Sequence, residues 1–115
     1  FDLFATESSF IGTDATEVWN KKEFMDWSKP FFDKGKAWSF TSLKRNISFS
    51  SDGKYAWFDE LLDTQMKLCR GSGVLEKTGN QWKIKQYVLS QTIPNDVNDE
   101  VIKIKSPIED PMISN

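Results

Sequence analysis

The sequence predicts an α+β domain in which a curved antiparallel sheet packs on helices around a pocket. Three observations support this fold class. Residues 82–90 alternate between two kinds of side chain, which is typical of a strand with two different faces. A turn signal at Thr78-Gly79-Asn80 joins this run to residues 70–75, as in a β-hairpin. Apolar residues between positions 24 and 31 recur at three- and four-residue spacing, which predicts a helix.

The N-terminal part is predicted to form one short strand and one helix. The strand covers residues 9–12, and a polar loop leads from it to Asn20. Asn20 is typical of a helix N-cap, because Glu23 stands three residues later and can bond back to it. Pro30 predicts a kink, since proline removes a backbone hydrogen bond, and Gly35 then ends the helix. The apolar stripe consists of Phe24, Trp27, Ser28 and Phe31.

Four strands then follow one another through short turns, which predicts an antiparallel meander. The first turn, Ser51-Asp52-Gly53, contains the residues that favour positive φ. On the first of these strands Leu43, Ile47 and Phe49 share a face around Arg45. The strands are predicted over residues 38–50, 55–62, 68–77 and 81–92.

The composition changes after residue 94, where Asn95 is predicted to cap a final helix that runs to about Lys105. Two prolines follow and are expected to end this helix. The chain is therefore predicted to form one domain over residues 1–105 and a loose tail over residues 106–115. The inner stripe of the helix is Val97, Val101 and Ile104, and the prolines are Pro107 and Pro111.

The composition is typical of a single folded domain. The chain has 115 residues, of which 38% are hydrophobic, and nine Phe, five Trp and two Tyr can fill a core. The net charge of -2 argues against a nucleic-acid partner. No apolar run approaches the roughly 20 residues that span a bilayer, so no membrane partner is expected either.

The absence of histidine excludes several kinds of site. Ser-His-Asp and Cys-His mechanisms need an imidazole, and a zinc site without one is not expected, so we predict no metal and no cofactor. Cys69 is a single cysteine and is interpreted as a small buried apolar residue. The chain begins at Phe1 without Met or a visible signal segment, as a trimmed chain would. The compartment stays open, with the cytoplasm favoured.

Six short motifs run along the chain: Phe10–Asp14, Glu17–Trp19, Ala56–Phe58, Arg70–Leu75, Trp82–Ile84 and Gln86–Ser90. In this order and spacing they resemble SnoaL-like domains, which belong to the nuclear transport factor 2-like superfamily together with ketosteroid isomerase. The resemblance covers about residues 1–105. It implies a cystatin-like roll with a cavity at the open end of a cone, and a homodimer through the outer sheet face.

The chain departs from the family pattern at two places. The long N-terminal helix that usually closes one wall of the cone is largely absent. Many relatives carry histidines on the last strand, where this chain has Gln86 and Val88. The resemblance therefore implies the architecture, and it implies no chemistry that depends on an imidazole at those positions.

Glu60 and Arg70 are predicted to lie on adjacent strands. A turn centred near Gln65 and Met66 places residue 60 almost opposite residue 70 or 71. Inside the cone the pair could hold a polar ligand. The alternative, which we favour, is a cross-strand ion pair of modest stability.

Asp14 and Glu17 lie in the loop before the helix, near the expected mouth of the cone. A desolvated carboxylate there could act as a general base next to a carbonyl group, and Glu60 is a third candidate. Asp14 could equally cap a turn with its side chain, and this interpretation is favoured.

Four tryptophans could line an apolar cavity, or could form core and dimer interface instead. Trp82 is the best pocket candidate, because its predicted face also carries Gln86 and Ser90, which would orient a ligand by hydrogen bonds. Gly71 and Gly73 lack the context of a phosphate loop and are expected to let the sheet curve. The four tryptophans are Trp19, Trp38, Trp57 and Trp82.

Three functional hypotheses follow. The leading one is a domain without demonstrable activity that binds a small, partly apolar molecule in the cavity. The second is an isomerase, cyclase or hydratase that uses Asp14, Glu17 or Glu60 as base. The third is an association module, which predicts a large apolar outer face around Tyr87 and Leu89. The predicted ligand-binding residues are Trp19, Trp57, Glu60, Arg70, Trp82, Gln86 and Ser90.

Overall fold

The computed structural model describes residues 4–26 and 40–114, and in this part of the chain six strands form one curved sheet. A helix, α1, begins at residue 21 and is described through residue 26. After the last strand, a 3-10 turn over Asn95–Val97 leads into a second helix, α2, over Asn98–Ile113. The strands are β1 Phe4–Ile11, β2 Val18–Asn20, β3 Phe40–Phe49, β4 Tyr55–Thr64, β5 Lys67–Thr78 and β6 Gln81–Gln91.

The strand order is β2-β1-β6-β5-β4-β3. The predicted antiparallel meander is confirmed for β3 to β6, and the turn between β4 and β5 is centred at Gln65 and Met66 as expected. Strand β1 is longer than predicted and pairs parallel to β6. Strand β2 was not predicted, because three residues are too few to show an alternating pattern.

The predicted start of the first helix is confirmed. The backbone amide of Glu23 donates to Asn20 Oδ1 at 2.8 Å, and the amide of Asn20 donates to Glu23 Oε1 at 3.0 Å. These two bonds form a capping box. The predicted stripe beyond Phe24, the kink at Pro30 and the stop at Gly35 lie outside the described residues.

The two faces of the sheet differ. We call the face that carries Glu60, Tyr87 and Leu89 the inner face, and the opposite one the outer face. Helix α1 packs on the inner face, where the Phe24 ring stacks on Phe10 at a centroid distance of 4.0 Å. Leu62, Leu89 and the fully buried Cys69 form the core cluster of this face, which confirms the prediction for the cysteine.

A β-bulge reverses the two sides of β6. Val74 of β5 pairs with Gln86, but the next residue, Leu75, pairs with Ile84, so that Lys85 is the additional residue. Trp82 and Ile84 therefore share the inner face with Tyr87 and Leu89. The prediction that Trp82 shares a face with Gln86 and Ser90 is wrong, because an added residue shifts the alternation by one.

Helix α2 differs from its prediction in extent and in packing. It starts two residues later than predicted, since Val97 and not Asn95 is its N-cap, and it continues through Pro107 and Pro111 to Ile113. It buries no residue, and Ile104 of the predicted inner stripe is 74% exposed. Water can bond the carbonyl groups that the prolines leave unpaired on so exposed a helix, which makes them tolerable. No helix in the described segments is long and apolar enough to cross a bilayer.

Candidate functional site

An ion pair extended by a tyrosine lies on the inner face. Arg45 of β3 is directly opposite Glu60 of β4. Its Nε and Nη2 atoms donate to Glu60 Oε1 at 2.9 and 2.7 Å. The hydroxyl of Tyr87 on β6 donates to the other carboxylate oxygen at 2.5 Å. We call these residues the Arg45–Glu60–Tyr87 trio, and both of the Glu60 oxygens are engaged in it.

The two ends of this ion pair differ in exposure. The Glu60 side chain is 7% exposed, whereas the Arg45 side chain is 52% exposed. A buried carboxylate is costly unless it is paired and hydrogen-bonded, and the trio supplies both conditions. The buried carboxylate of Glu60 therefore holds the guanidinium in place, while part of the Arg45 side chain faces solvent.

Glycine residues on β5 make the trio possible. Gly71 lies opposite Glu60, and a β-carbon there would collide with the Tyr87 hydroxyl and lie 3.1 Å from Glu60 Oε2. Gly73 is equally crowded, since a β-carbon would lie 2.8 Å from the ring of Phe58. Because neither glycine has a side chain, Tyr87 can reach across β5 to β4.

Tyr87 is a hydrogen-bond donor held in its neutral form. Burial raises the pKa of its hydroxyl well above the ordinary value, and the hydrogen bond to Glu60 raises this pKa further. The proton of the hydroxyl is committed to the carboxylate. Tyr87 thus orients Glu60 and has no second proton to give to a ligand.

A stack of aromatic rings closes one side of the inner face. Phe10 is stacked with Tyr87 at 5.8 Å and with Trp19 at 6.2 Å, and Phe24 lies against the same ring. Trp19 was predicted to line the cavity. The structure places it on the inner face, half-buried in this packed stack.

The other side of the inner face is apolar and open. Ile47 and Phe49 follow Arg45 in the same phase of β3, and they are 51% and 62% exposed. Phe58 lies opposite Ile47 on β4. The ring of Trp82 meets Phe49 edge-on at 5.8 Å. We call Ile47, Phe49, Phe58 and Trp82 the apolar track; it begins beside Arg45.

The predicted pairing of Glu60 with Arg70 is wrong. Of the two partners that the turn allowed for residue 60, the register selects Gly71 and places Arg70 opposite Leu61. Arg70 therefore lies on the outer face, because neighbours across a ladder share a face. Arg45 takes its place. The signal for Arg45 was present in the sequence, where it stands in phase with Ile47 and Phe49.

Several other residues face the side opposite to the predicted one. Gln86 and Ser90 lie on the outer face because of the bulge at Lys85, and Trp57 lies there opposite Val74. Their predicted place in one wall with Trp82 is therefore wrong. The expected outer patch around Tyr87 and Leu89 is wrong for the same reason, since both belong to the inner face. Trp38 lies outside the described residues.

The carboxylates of Asp14 and Glu17 form hydrogen bonds within their own loop. Asp14 Oδ1 accepts hydrogen bonds from the backbone amide of Thr16 at 2.9 Å and from its hydroxyl at 2.7 Å. These bonds, the backbone one first, lower the pKa of Asp14. Glu17 Oε1 accepts from the Asp14 amide at 2.9 Å. Asp14 thus caps the turn, which is the interpretation that the sequence favoured.

A separate, open cleft of about 710 Å³ lies between the start of β1 and the β5–β6 hairpin. Its charges are mixed and partly engaged. Lys21 donates to the carbonyl of Phe4 at 3.2 Å, and Glu76 accepts from the Tyr55 hydroxyl at 3.0 Å. Within residues 4–26 and 40–114, no three acidic or cysteine side chains converge as metal ligands. The trio and the apolar track therefore form the candidate site.

Comparison with known proteins identifies the family. The sequence matches the model of the SnoaL-like domain over residues 1–94. The chain belongs to the SnoaL-like domain family. No curated protein matches the sequence of this SnoaL-like domain.

Solved structures agree with the family's fold. A cystatin-like domain of unknown function from Nostoc punctiforme has a TM-score of 0.67 at 14% identity, covering 91% of this chain and 70% of that one. A nuclear transport factor 2-like protein of unknown function from Pseudomonas putida has a TM-score of 0.63 at 12% identity, covering 84% and 72%. A proposed ketosteroid isomerase from Shewanella frigidimarina has a TM-score of 0.58 at 16% identity, covering 77% and 76%. At such identities the likeness supports the α+β roll and not an activity.

Proposed function

We propose that this SnoaL-like domain binds a small, partly apolar molecule on its inner face, between the trio and the apolar track. The observation that carries the proposal is a guanidinium held by Glu60, on the half-exposed side chain of Arg45, beside the exposed side chains of Ile47 and Phe49. Ligand sites are typically apolar surfaces with a few well-placed polar groups. Here Glu60 holds the polar group by two bonds, and Tyr87 in turn orients Glu60, so binding has less of the side chain to order.

The hydrogen bonds of the candidate bases favour binding over catalysis. A general base needs a carboxylate that can take a proton from the substrate. Glu60 already accepts bonds from Arg45 and Tyr87, and Asp14 and Glu17 accept bonds within their own loop. The proposed isomerase from Shewanella frigidimarina shares the fold, but in this chain both oxygens of Glu60 are engaged, and Asp14 and Glu17 are each bonded within a loop away from the trio.

A fragment screen monitored by two-dimensional NMR tests the proposal. Binders are expected to shift the amide signals of Ile47, Phe49 and Phe58, with little effect on the outer-face residues Trp57 and Val74. Replacing Ile47 by Asp adds a charge to the apolar track and should abolish these shifts, whereas Ser48→Asp adds it to the outer face and should not. The proposal fails if no fragment binds, or if all binders map to the outer face.

Self-association through the outer face is a second candidate function. Trp57 is 50% exposed on that face, and Leu68, on the same face of β5, is 46% exposed. Exposed large apolar side chains on a sheet face are typical of interfaces between protein chains. The expected result is a homodimer in sedimentation, and a substitution at Trp57 tests it.

A further inference from the structure

We propose that the ligand of the inner face is a carboxylic acid, whose carboxylate binds the outer edge of the Arg45 guanidinium while its apolar body lies along the apolar track. This inference rests on the proposed function and names the chemical class of the ligand.

The hydrogen bonds of Arg45 leave one edge of the guanidinium open. Arginine has five N–H donors in a planar fork. Nε and one N–H of Nη2 donate to Glu60 Oε1 at 2.9 and 2.7 Å. The two N–H groups of Nη1 and the second one of Nη2 have no acceptor among the described residues. Two of these donors are parallel and point away from Glu60, which is the geometry that binds a carboxylate through both oxygens.

The charge of the trio favours a single negative charge on the ligand. Arg45 and Glu60 cancel each other, and the Tyr87 hydroxyl is neutral. A doubly charged group such as phosphate would bring two negative charges close to the buried Glu60 carboxylate. A neutral amide has one acceptor oxygen and would lose the charge-assisted pair of bonds. A carboxylate accepts both parallel hydrogen bonds from Arg45 and, with a single negative charge, is repelled less by Glu60 than a phosphate is.

The apolar track sets the approximate size of the acid. Arg45, Ile47 and Phe49 stand on one face of a strand that rises about 3.4 Å per residue, so that Phe49 lies roughly 14 Å beyond Arg45. Phe58 and Trp82 widen this surface on the side of β4 and β6. A medium-chain or aryl-substituted monocarboxylic acid fits along it, with its far end at the rings of Phe49 and Trp82.

Octanoate and octanamide form a matched pair of probes for this inference, because they differ mainly in charge and in one acceptor oxygen. Isothermal titration calorimetry on the full chain, at millimolar probe concentrations, should show octanoate binding at least about tenfold more tightly than octanamide. In the NMR spectrum, the Ile47 methyl signals should shift with octanoate, whereas those of Ile104 on α2 should not.

Two variants distinguish the effect of the parallel N–H donors of Arg45 from the effect of positive charge alone. Arg45→Lys retains a cation that can pair with Glu60 but removes the parallel donors, so the preference for octanoate should fall to less than about threefold. Lys44→Met removes a positive charge from the adjacent outer-face position and should leave the preference unchanged. Because Arg45→Lys preserves a partner for the buried carboxylate, it is expected to stay folded, and its circular dichroism spectrum checks this.

The outcomes distinguish the two proposals. Equal binding of octanoate and octanamide at Ile47 would overturn the carboxylate inference and leave the proposed function intact. Loss of the preference in Lys44→Met as well as in Arg45→Lys would also overturn it, because the effect would then follow net charge alone. If octanoate fails to bind while other fragments do, the inference fails; if nothing binds, both proposals fail.

Discussion

At the residue scale, the candidate site depends on the absence of a side chain at Gly71. Tyr87 reaches Glu60 across β5 only because Gly71, which lies opposite Glu60, has no side chain in the path of the tyrosine hydroxyl. Glu60 can then remain buried as an ion, since Arg45 and Tyr87 together satisfy its two oxygens. One glycine therefore determines the position of a guanidinium two strands away.

Replacing Gly71 by Ala should lower the free energy of unfolding by about 1–3 kcal/mol, the usual cost of overpacking a filled site. The new methyl group would collide with the Tyr87 hydroxyl and displace it from Glu60. Urea denaturation measures the effect. Combined with Tyr87→Leu, the substitution should cost less than the sum of the two single changes, because the two sites are in contact.

Ser72→Ala on the outer face is the control for Gly71→Ala, and we expect it to change stability by less than about 0.5 kcal/mol. If Gly71→Ala is as mild as this control, the close approach of Tyr87 to the β5 backbone is incorrect.

The two tyrosines predict how stability depends on pH in alkaline solution. Burial raises the pKa of Tyr87 in the folded state, and the bond to Glu76 raises the pKa of Tyr55. An acid whose pKa is higher in the folded state stabilises the fold below its unfolded pKa, here about pH 10. Stability should therefore fall as the pH rises above that value, because the unfolded chain then loses protons that the folded chain keeps.

Tyr55→Phe leaves Tyr87 as the one tyrosine of the chain, so that tyrosinate absorbance reports on it alone. The absorbance should appear together with the loss of the circular dichroism signal of the sheet, in a single cooperative step. Tyr87→Phe should weaken the alkaline loss of stability. Gradual ionisation of Tyr87 near pH 10 in a folded protein would show that its hydroxyl is not buried against Glu60.

At the element scale, alternation predicted where the strands lie better than which side each residue faces. The meander, its turns and the capping box at Asn20 are local patterns, and the structure confirms them. The facing of Gln86 and Ser90 was wrong because one additional residue, Lys85, shifts the phase of β6. A single strand's pattern does not show such a residue, since the bulge is defined by the partner strand.

The site was partly predictable for the same reason. Glu60 was named from its place on β4, but its partner required the register to one residue, and a shift of one exchanges Gly71 for Arg70. Arg45 was recognised as a member of the face of Ile47 and Phe49, and only the pairing of β3 with β4 connects it with Glu60. The register between strands determines which residues pair, and the pattern of a single strand does not show this register.

Helix α2 should contribute little to the stability of the sheet. It contacts the 3-10 turn before it and buries no residue. A chain that ends after Pro94, where the family match also ends, should unfold with the same free energy to within about 0.5 kcal/mol. Thermal and urea denaturation measure this, and circular dichroism should show the loss of helical signal.

A shorter chain that ends after Gln91 is the matched control for this truncation. It also loses Thr92, whose hydroxyl donates to the carbonyl of Leu68 at 2.9 Å, and should be measurably less stable. A large loss of stability in the Pro94 chain would show that α2 packs on the domain. The domain boundary predicted at residue 105 stays a prediction, and it would cut α2 in its middle.

At the scale of the whole molecule, the sheet separates two proposed tasks on its two faces. The inner face carries the trio and the apolar track, and the outer face carries Trp57 and Leu68. The radius of gyration is 16.3 Å, against about 13 Å for a compact chain of this length. Binding on one face and association through the other can therefore be tested independently.

Trp57→Lys should convert a homodimer into a monomer, because it replaces an exposed apolar side chain of the outer face with a charge. Stable dimers bury about 1,200–2,000 Å² in total and a few aromatic residues carry most of the affinity, so one charge at such a residue can remove most of it. Sedimentation velocity from 1 to 100 µM, roughly the range that reveals micromolar dimers, measures the change.

Ile104→Lys is the matched control, since it adds the same charge to an exposed residue of α2 and should leave the dimer intact. Arg45→Lys should leave it intact as well, because Arg45 lies on the inner face. A wild-type chain that sediments as a monomer throughout this range would refute association through the outer face, and it would leave the inner-face site untouched.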